Sequence, residues 1–302
     1  MKLKILGSSS NGNCYVLETR NESLIIECGI RLSRIKRALG WRLSNVVGAF
    51  ITHSHNDHAG HATSLATSGV TVFASADTLR AKGLYGKPFT REIQARHGYA
   101  VGGFRVIPLD VKHDVPCFAF IVGHAEIGKM LFVTDTIAFP YVVDGLNTIL
   151  IEANYSDEIL QENIVSGLMQ EAMRPRLMNS HMELSETLRT LDRQDLSECG
   201  SIVLVHLSAT NSDAAMFAKQ VREHTGKPVY IASSGKEIDI SKKTILVMQQ
   251  IPNDMRDTII RCARIVISSI PTELIAIKPR LANAVRLLAK EINKLEKMKN
   301  YE

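Results

Sequence analysis

Short apolar runs punctuated by Gly, Ser, Asn and Asp alternate along this chain with stretches whose apolar residues recur every three or four positions. Runs of the first kind read as buried strands and stretches of the second as amphipathic helices. On that pattern strands fall at about 2–6, 13–18, 23–27, 46–51, 70–73, 104–109, 117–123, 129–134, 147–151, 201–205 and 228–232. Helices fall at 31–39, 58–67, 75–81, 156–170, 185–193 and 212–223, with Ser185 and either Ser212 or Asp213 as N-caps. Periodicity alone therefore predicts α plus β structure, without internal repeats or low-complexity tracts.

One strand is set apart by the polar turn at its end. Val46-Val47-Gly48-Ala49-Phe50-Ile51 runs directly into Thr52-His53-Ser54-His55-Asn56-Asp57-His58, so His53, His55, Asp57 and His58 crowd into a single turn of chain. Two histidines two apart point the same way while the backbone stays extended. A turn then brings Asp57 and His58 to a second point nearby. Mixed imidazole and carboxylate ligands suit Zn²⁺, with Mn²⁺ or Fe²⁺ as alternatives.

His-x-His-x-Asp-His behind a strand resembles the signature of the metallo-β-lactamase superfamily. Further matching residues come in order: His113 in Val111-Lys112-His113-Asp114, Asp135 in Phe132-Val133-Thr134-Asp135-Thr136, and His206 in Leu204-Val205-His206-Leu207-Ser208. The resemblance, spanning roughly residues 1–235, implies two divalent metal ions. His53, His55 and His113 would hold one, Asp57, His58 and His206 the other, and Asp135 would bridge them. It also implies an α/β fold of four layers, an αββα sandwich.

Within the superfamily, Gly7-Ser8-Ser9-Ser10-Asn11-Gly12-Asn13-Cys14 is similar to the opening of the YycJ/WalJ group, associated with DNA exonuclease activity. His113-Asp114-Val115-Pro116, Thr134-Asp135-Thr136 and His206-Leu207-Ser208 resemble RNase Z-like phosphodiesterases. Two departures matter. Glu27 stands where the family has Asp in its Leu-Ile-Asp-x-Gly segment. The 70 residues between Asp135 and His206 are too few for a large inserted domain, and residues 153–180 too few for a tRNA-gripping arm.

Glu152, ending the run Ile149-Leu150-Ile151, and His181, ahead of a helix, resemble the carboxylate–histidine pair with which RNase Z-like enzymes protonate a leaving group. Asp57 would also aim the attacking water. An imidazole suits acid catalysis because its ordinary pKa lies near 6.5, and a neighbouring carboxylate favours its cation. The competing readings of His181 are an eighth ligand or a loop histidine. His61, His97, His124 and His224 lack such context and read as ordinary surface or loop residues.

Composition agrees with a cytoplasmic enzyme. Of 302 residues, 45% are hydrophobic and 22% charged, which is ordinary for a globular protein able to bury a core. No apolar stretch reaches membrane-spanning length, so no membrane association is expected. Cys14, Cys28, Cys117 and Cys199 lie in or beside apolar runs and read as reduced core residues.

The resemblance divides the chain into a catalytic domain, 1–240, and a basic helical extension, 241–302. Residues 242–302 hold 12 of the 36 Lys and Arg but only 6 of the 31 Asp and Glu, leaving 24 basic and 25 acidic residues in the body. Met255, Ile259, Cys262 and Val266 are spaced as on one helix, and Leu281, Val285, Leu288, Ile292 and Leu295 as on a second, joined near Ser268 to Pro271. The second series reads either as a helix packed on its own domain or as a homodimer seam. Three functions fit these residues: a nuclease acting on DNA or RNA, a small-substrate phosphodiesterase such as a cyclic-nucleotide hydrolase of phage anti-defence type, and a non-catalytic metal-stabilised binding protein. A tail that guides a polyanion predicts that a chain ending at Ile240 binds DNA more weakly, with a flatter salt dependence in a titration. Turnover of a small phosphodiester by the same truncated chain should survive.

Overall fold

The computed structural model describes residues 1–242, 253–271 and 289. Two seven-stranded sheets form the body. The first contains β1 (Lys2–Gly7), β2 (Cys14–Glu18), β3 (Ser23–Ile26), β4 (Val46–Phe50), β5 (Val72–Ala74), β6 (Thr90–Glu92) and β14 (Glu237–Asp239), in the order β14-β1-β2-β3-β4-β5-β6. The second contains β7 (Tyr99–Val101), β8 (Phe104–Val111), β9 (Cys117–His124), β10 (Gly128–Val133), β11 (Thr148–Glu152), β12 (Ser201–Val205) and β13 (Val229–Ile231), in the order β13-β12-β11-β10-β9-β8-β7. Each sheet is part antiparallel and part parallel: β3 to β6 run parallel in one, β10 to β13 in the other.

Alternation along the strands explains the layers. Leu3, Ile5, Tyr15, Leu17, Phe50 and Phe73 of the first sheet face Phe104, Phe120, Phe132 and Val203 of the second in one core. Phe50 stacks on Phe73 at 4.5 Å and meets Phe120 edge-on at 5.8 Å, and Tyr15 meets Phe132 edge-on at 5.1 Å. The opposite faces are apolar too. Cys14, Val16, Ile25 and Ile51 pack under helices α1 (Leu32–Ala38), α3 (Ala62–Thr67) and α4 (Ala76–Ala81). Leu131, Ile149, Ile151 and Leu204 pack under α7 (Leu184–Arg193) and α8 (Ala214–Thr225). A strand covered on both faces reads as a continuous apolar run, which is why the central strands were legible. The architecture is the expected four-layer αββα sandwich.

Several element boundaries differ from the sequence reading, each for a local reason. The helix expected over 58–67 splits into α2 (Asn56–Ala59) and α3, because the chain turns at Gly60, where a Cβ would lie 2.3 Å from Asn56 O. The helix expected over 156–170 ends as α5 (Asp157–Val165), with Gly167 in the left-handed region at φ 76°. A further helix, α6 (Arg174–Ser180), comes next with Pro175 in its first turn. Ser185 is not the N-cap of α7; Glu183 is, while Asp213 caps α8 as expected. β6, β7 and β14 were missed because each is only three residues long, too short for a periodicity to register.

Residues Met1–Lys242 form one compact unit and Lys243–Glu302 a second. In the second, α9 (Asn253–Ser268) carries Met255, Ile259, Cys262 and Val266. The apolar series from Leu281 to Leu295 lies outside the described residues. Cys14, Cys28, Cys117 and Cys199 are buried free thiols. Among the described residues no helix is long and apolar enough to cross a membrane. Because Phe50 is fully buried between aromatic rings of both sheets, Phe50→Ala should lower unfolding free energy by roughly 3–5 kcal/mol in a denaturant titration.

Candidate metal centre

The expected site residues converge where strands of both sheets end. His53 lies just past β4, and His55 is the N-cap of α2, which carries Asp57 and His58. His113 lies beyond β8, Asp135 beyond β10 and His206 beyond β12, while Glu152 ends β11 and His181 closes α6. Glu27, Asp135 and His206, each the residue just past a strand or one removed from it, hold φ angles of 64°, 51° and 53°. Left-handed backbone costs a non-glycine residue free energy, so the surrounding structure must hold these turns in place.

Three loops are stitched together by backbone hydrogen bonds. Asn13 N donates to Asp57 O at 2.7 Å, Cys28 N to His58 O at 2.8 Å, and Gly29 N to Asn13 O at 2.9 Å. Gly29 is required here: a Cβ would sit 1.6 Å from Asp57 O.

Ligand-type atoms of His53, His55 and His113 lie within 4.8 Å of one another, as do those of Asp57, His58 and His206, and those of His53, His58 and Asp135. His58 Nε2 is 3.2 Å from Asp57 Oδ2 and 3.1 Å from Asp135 Oδ2, and His206 Nε2 is 3.6 Å from Asp57 Oδ2. A fourth group joins Asp135, Glu152, His181 and His206. His181 thus stands beside the cluster, its Nδ1 2.8 Å from Glu152 Oε1 and 3.5 Å from Asp135 Oδ1.

The imidazoles are oriented from behind. Thr52 Oγ1 lies 2.8 Å from His53 Nδ1, Ser180 O accepts from His113 Nδ1 at 3.1 Å, and Glu152 Oε1 lies 3.1 Å from His206 Nδ1. Glu27 Oε1 stands 3.3 Å from His58 Nδ1, with both side chains fully buried. The departure from Asp to Glu at position 27 therefore still delivers a carboxylate to the ring. Such contacts fix which nitrogen faces inward.

The donor set fits divalent cations. His53 Nε2 and His206 Nε2 are buried without a hydrogen-bond partner, an arrangement that costs free energy unless something else takes the lone pair. Burial pushes the His53 and His113 imidazoles below their ordinary pKa, which leaves them neutral, as ligation requires. Burial acts the same way on His58 and His206, but Asp135 and its neighbouring carboxylates outweigh it and raise both, His206 to about 10. Burial would raise Asp57 and Asp135, yet His206 and His58 more than offset it and hold both carboxyls below the usual range. One half of the cluster is thus neutral imidazole and the other rich in carboxylate.

A cavity of about 250 Å³ opens over the cluster. Besides site residues it is walled by Ser10, Met169, Met173, Arg176 and Leu177. Four contributors escaped the sequence reading as site residues. Asp114, 3.0 Å from His113 Nε2 and 3.4 Å from His55 Nε2, is betrayed only by adjacency to His113. Asn13 places Nδ2 3.0 Å from His58 Nε2, and Asn154 donates Nδ2 to His206 O at 2.7 Å. Arg176 comes from the helix that was not foreseen.

Residues 9–192 match the pattern described as the metallo-beta-lactamase superfamily. The chain belongs to that superfamily. The relatives of this superfamily member include exodeoxyribonuclease WalJ of Streptococcus pneumoniae, 23% identical over 70% of this chain and 83% of that protein. Exodeoxyribonuclease YycJ of Bacillus anthracis is 25% identical over 75% of this chain and 90% of its own length. In fold the chain is similar to the metallo-beta-lactamase fold protein YhfI of Bacillus subtilis, with a TM-score of 0.60 and 18% identity over 78% of this chain and 98% of that one. These relatives agree with the branch read from the N-terminal loop. The superfamily and its nuclease-named members make the protein a metal-dependent hydrolase. Since Glu27 orients His58, Glu27→Gln should weaken divalent-metal affinity by about 10–100-fold, measured by competition with a chromogenic chelator.

Proposed function

We propose that this protein is a dinuclear-metal-dependent nuclease that hydrolyses phosphodiester bonds of DNA or RNA. The observation that carries the reading is the His181–Glu152 pair, 2.8 Å apart at the edge of the ligand cluster, with His181 lining an open cavity and Glu152 buried behind it. His53, His55 and His113 would hold one ion, Asp57, His58 and His206 the second, with Asp135 shared. Zinc is the first candidate by donor type, ahead of manganese and iron. When bound, the ions supply Lewis acidity towards a phosphate oxygen and lower the pKa of water.

The chain's own residues supply the rest. Asp57, held ionised, accepts a hydrogen bond from the attacking water and aims it at phosphorus. Burial works against charge on His181, but the Glu152 carboxylate outweighs it and raises the imidazole above its ordinary pKa. That shift favours the protonated imidazole, which can hand its proton to the departing oxygen. Arg176, on the cavity wall, meets the negative charge of a phosphate, and Met169 and Met173 offer apolar surface to a base or sugar.

The names of the relatives favour DNA as the polymer. A second reading, hydrolysis of a small cyclic nucleotide, draws support from the near-neutral body of 24 basic and 25 acidic residues outside 242–302. Labelled single- and double-stranded DNA, RNA and cyclic mononucleotides, offered to the metal-loaded protein, separate the two. Cleavage of cyclic mononucleotides with inert polymers would replace the nuclease reading.

Metal analysis of protein purified without chelator should find close to two equivalents per chain. His181→Ala should keep that metal content but lose about 10²–10⁴-fold in rate on an oligonucleotide. Hydrolysis of bis(p-nitrophenyl) phosphate, whose leaving group departs without a proton, should fall far less. Loss of metal, or equal losses on both substrates, would instead make His181 a ligand or a structural residue.

A further inference from the structure

Between Glu27 and Asp57 the chain has no acidic residue, yet it carries Arg31, Arg34, Lys36, Arg37, Arg42 and the protein's single tryptophan, Trp41. In a body that is close to neutral, this is a concentrated block of positive charge. It folds onto α1 and its two flanks. The helix turns Ile35, and Leu39 just beyond it, into the core beneath the first sheet. Arg31, Arg34, Arg37 and Arg42 remain exposed to solvent. Among the described residues, no side-chain hydrogen bond or ion pair occupies Arg31, Lys36, Arg37 or Arg42.

Trp41 is the second unusual feature. It is 68% exposed, and no ring or cation stacks on it among the described residues. Its φ of 63° comes directly after Gly40 at 57°. Trp41 N donates to Lys36 O at 2.7 Å, closing the end of the helix. A bulky residue in left-handed backbone, with its indole in water, gains nothing from the fold at that position.

The block is anchored relative to the cavity. Arg34 donates to Leu6 O at 2.8 Å and to Ser234 Oγ at 2.9 Å. Leu6 leads into the loop whose Ser10 walls the cavity. At the other end Lys4 Nζ donates to Ala38 O at 3.1 Å, and the same ammonium pairs with Glu18 at 2.8 Å. The helix therefore starts beside the loop that borders the site and runs back along β1, away from it. At a helical rise of about 1.5 Å per residue, the seven residues of α1 cover roughly 10 Å.

We infer that α1 and its flanks form a docking track for single-stranded nucleic acid, on which the arginines and Lys36 meet successive phosphates and Trp41 stacks on an unpaired base. Unpaired cations along a path, ended by an exposed aromatic face, match the chemistry of a strand with free bases. The track leads from the cavity, so it holds the part of a strand remote from the bond being cut. Such a track deepens the nuclease reading and rests on it.

The single tryptophan supplies the readout. Full-length protein is titrated with a phosphorothioate-linked oligothymidylate, which resists cleavage, while Trp41 emission is monitored. Quenching is expected, with an affinity that falls as salt rises. Arg31→Ala, Arg37→Ala and Arg42→Ala combined should weaken binding at least about tenfold and reduce the log–log salt slope by about 2. Trp41→Gly, suited to the left-handed backbone, should weaken binding of a labelled oligothymidylate about tenfold. Both variants should turn over bis(p-nitrophenyl) phosphate at the wild-type rate. Absent quenching, equal quenching by a duplex, or variants that bind like wild type would overturn the track, and quenching by anionic vesicles alone would assign the patch to lipid. An ordinary oligonucleotide that quenches Trp41 but is never hydrolysed would sink the nuclease reading and not the binding surface.

Discussion

Glu27 and His58 face each other at 3.3 Å with both side chains fully shielded from solvent. A buried carboxylate costs several kcal/mol unless it is paired and hydrogen-bonded; His58 supplies the pairing and Thr52 N the hydrogen bonds. Burial pushes Glu27 up, and His58 together with Thr52 works against that rise. Thr52 N points at both oxygens of Glu27 at 3.3 Å. His58, held from behind, presents its other nitrogen to Asp57 and Asp135. Remove the pair and the second half of the cluster loses its fixed ring.

The same demand explains the backbone. Glu27, Asp135 and His206 reach the cluster only because the chain turns sharply beyond β3, β10 and β12, in conformations that non-glycine residues rarely adopt. The sandwich makes these turns sustainable. Its strands are clamped by apolar layers on both faces, so the strand ends are rigid posts from which polar loops are hung. Backbone bonds among Asn13, Cys28, Gly29, Asp57 and His58 then lock the loops to each other.

Two electrostatic halves result. Burial lowers the pKa of His53 and His113, whereas neighbouring carboxylates outweigh burial and raise that of His58 and His206. Glu152 touches both His206 and His181 and so ties the proposed acid to the proposed metal site through one carboxylate. Neither half is assembled by a single element. The cavity above them takes its remaining wall from Met169 and Met173, between α5 and α6, and from Arg176 and Leu177 on α6 itself.

The sequence by itself determined the central strands and the family, and it put the candidate site residues in view. Apolar runs are unambiguous when both strand faces are buried, and four ligand-type residues between His53 and His58 need no long-range contact to be seen. It misjudged features decided by only a few residues, such as the break at Gly60, the cap at Glu183 and the short outer strands. What only the tertiary structure decided is distance. Asp114, Asn13 and Asn154 carry no pattern of their own; they matter because Asp114 lies 3.0 Å from His113, Asn13 3.0 Å from His58, and Asn154 2.7 Å from the carbonyl of His206. The block from Arg31 to Arg42 was visible as composition, but only folding showed Arg31, Lys36, Arg37 and Arg42 without side-chain partners among the described residues, its tryptophan in solvent and its helix starting beside the site. Periodicity encodes which face is buried, whereas the partners of polar side chains depend on how separate strands end in space.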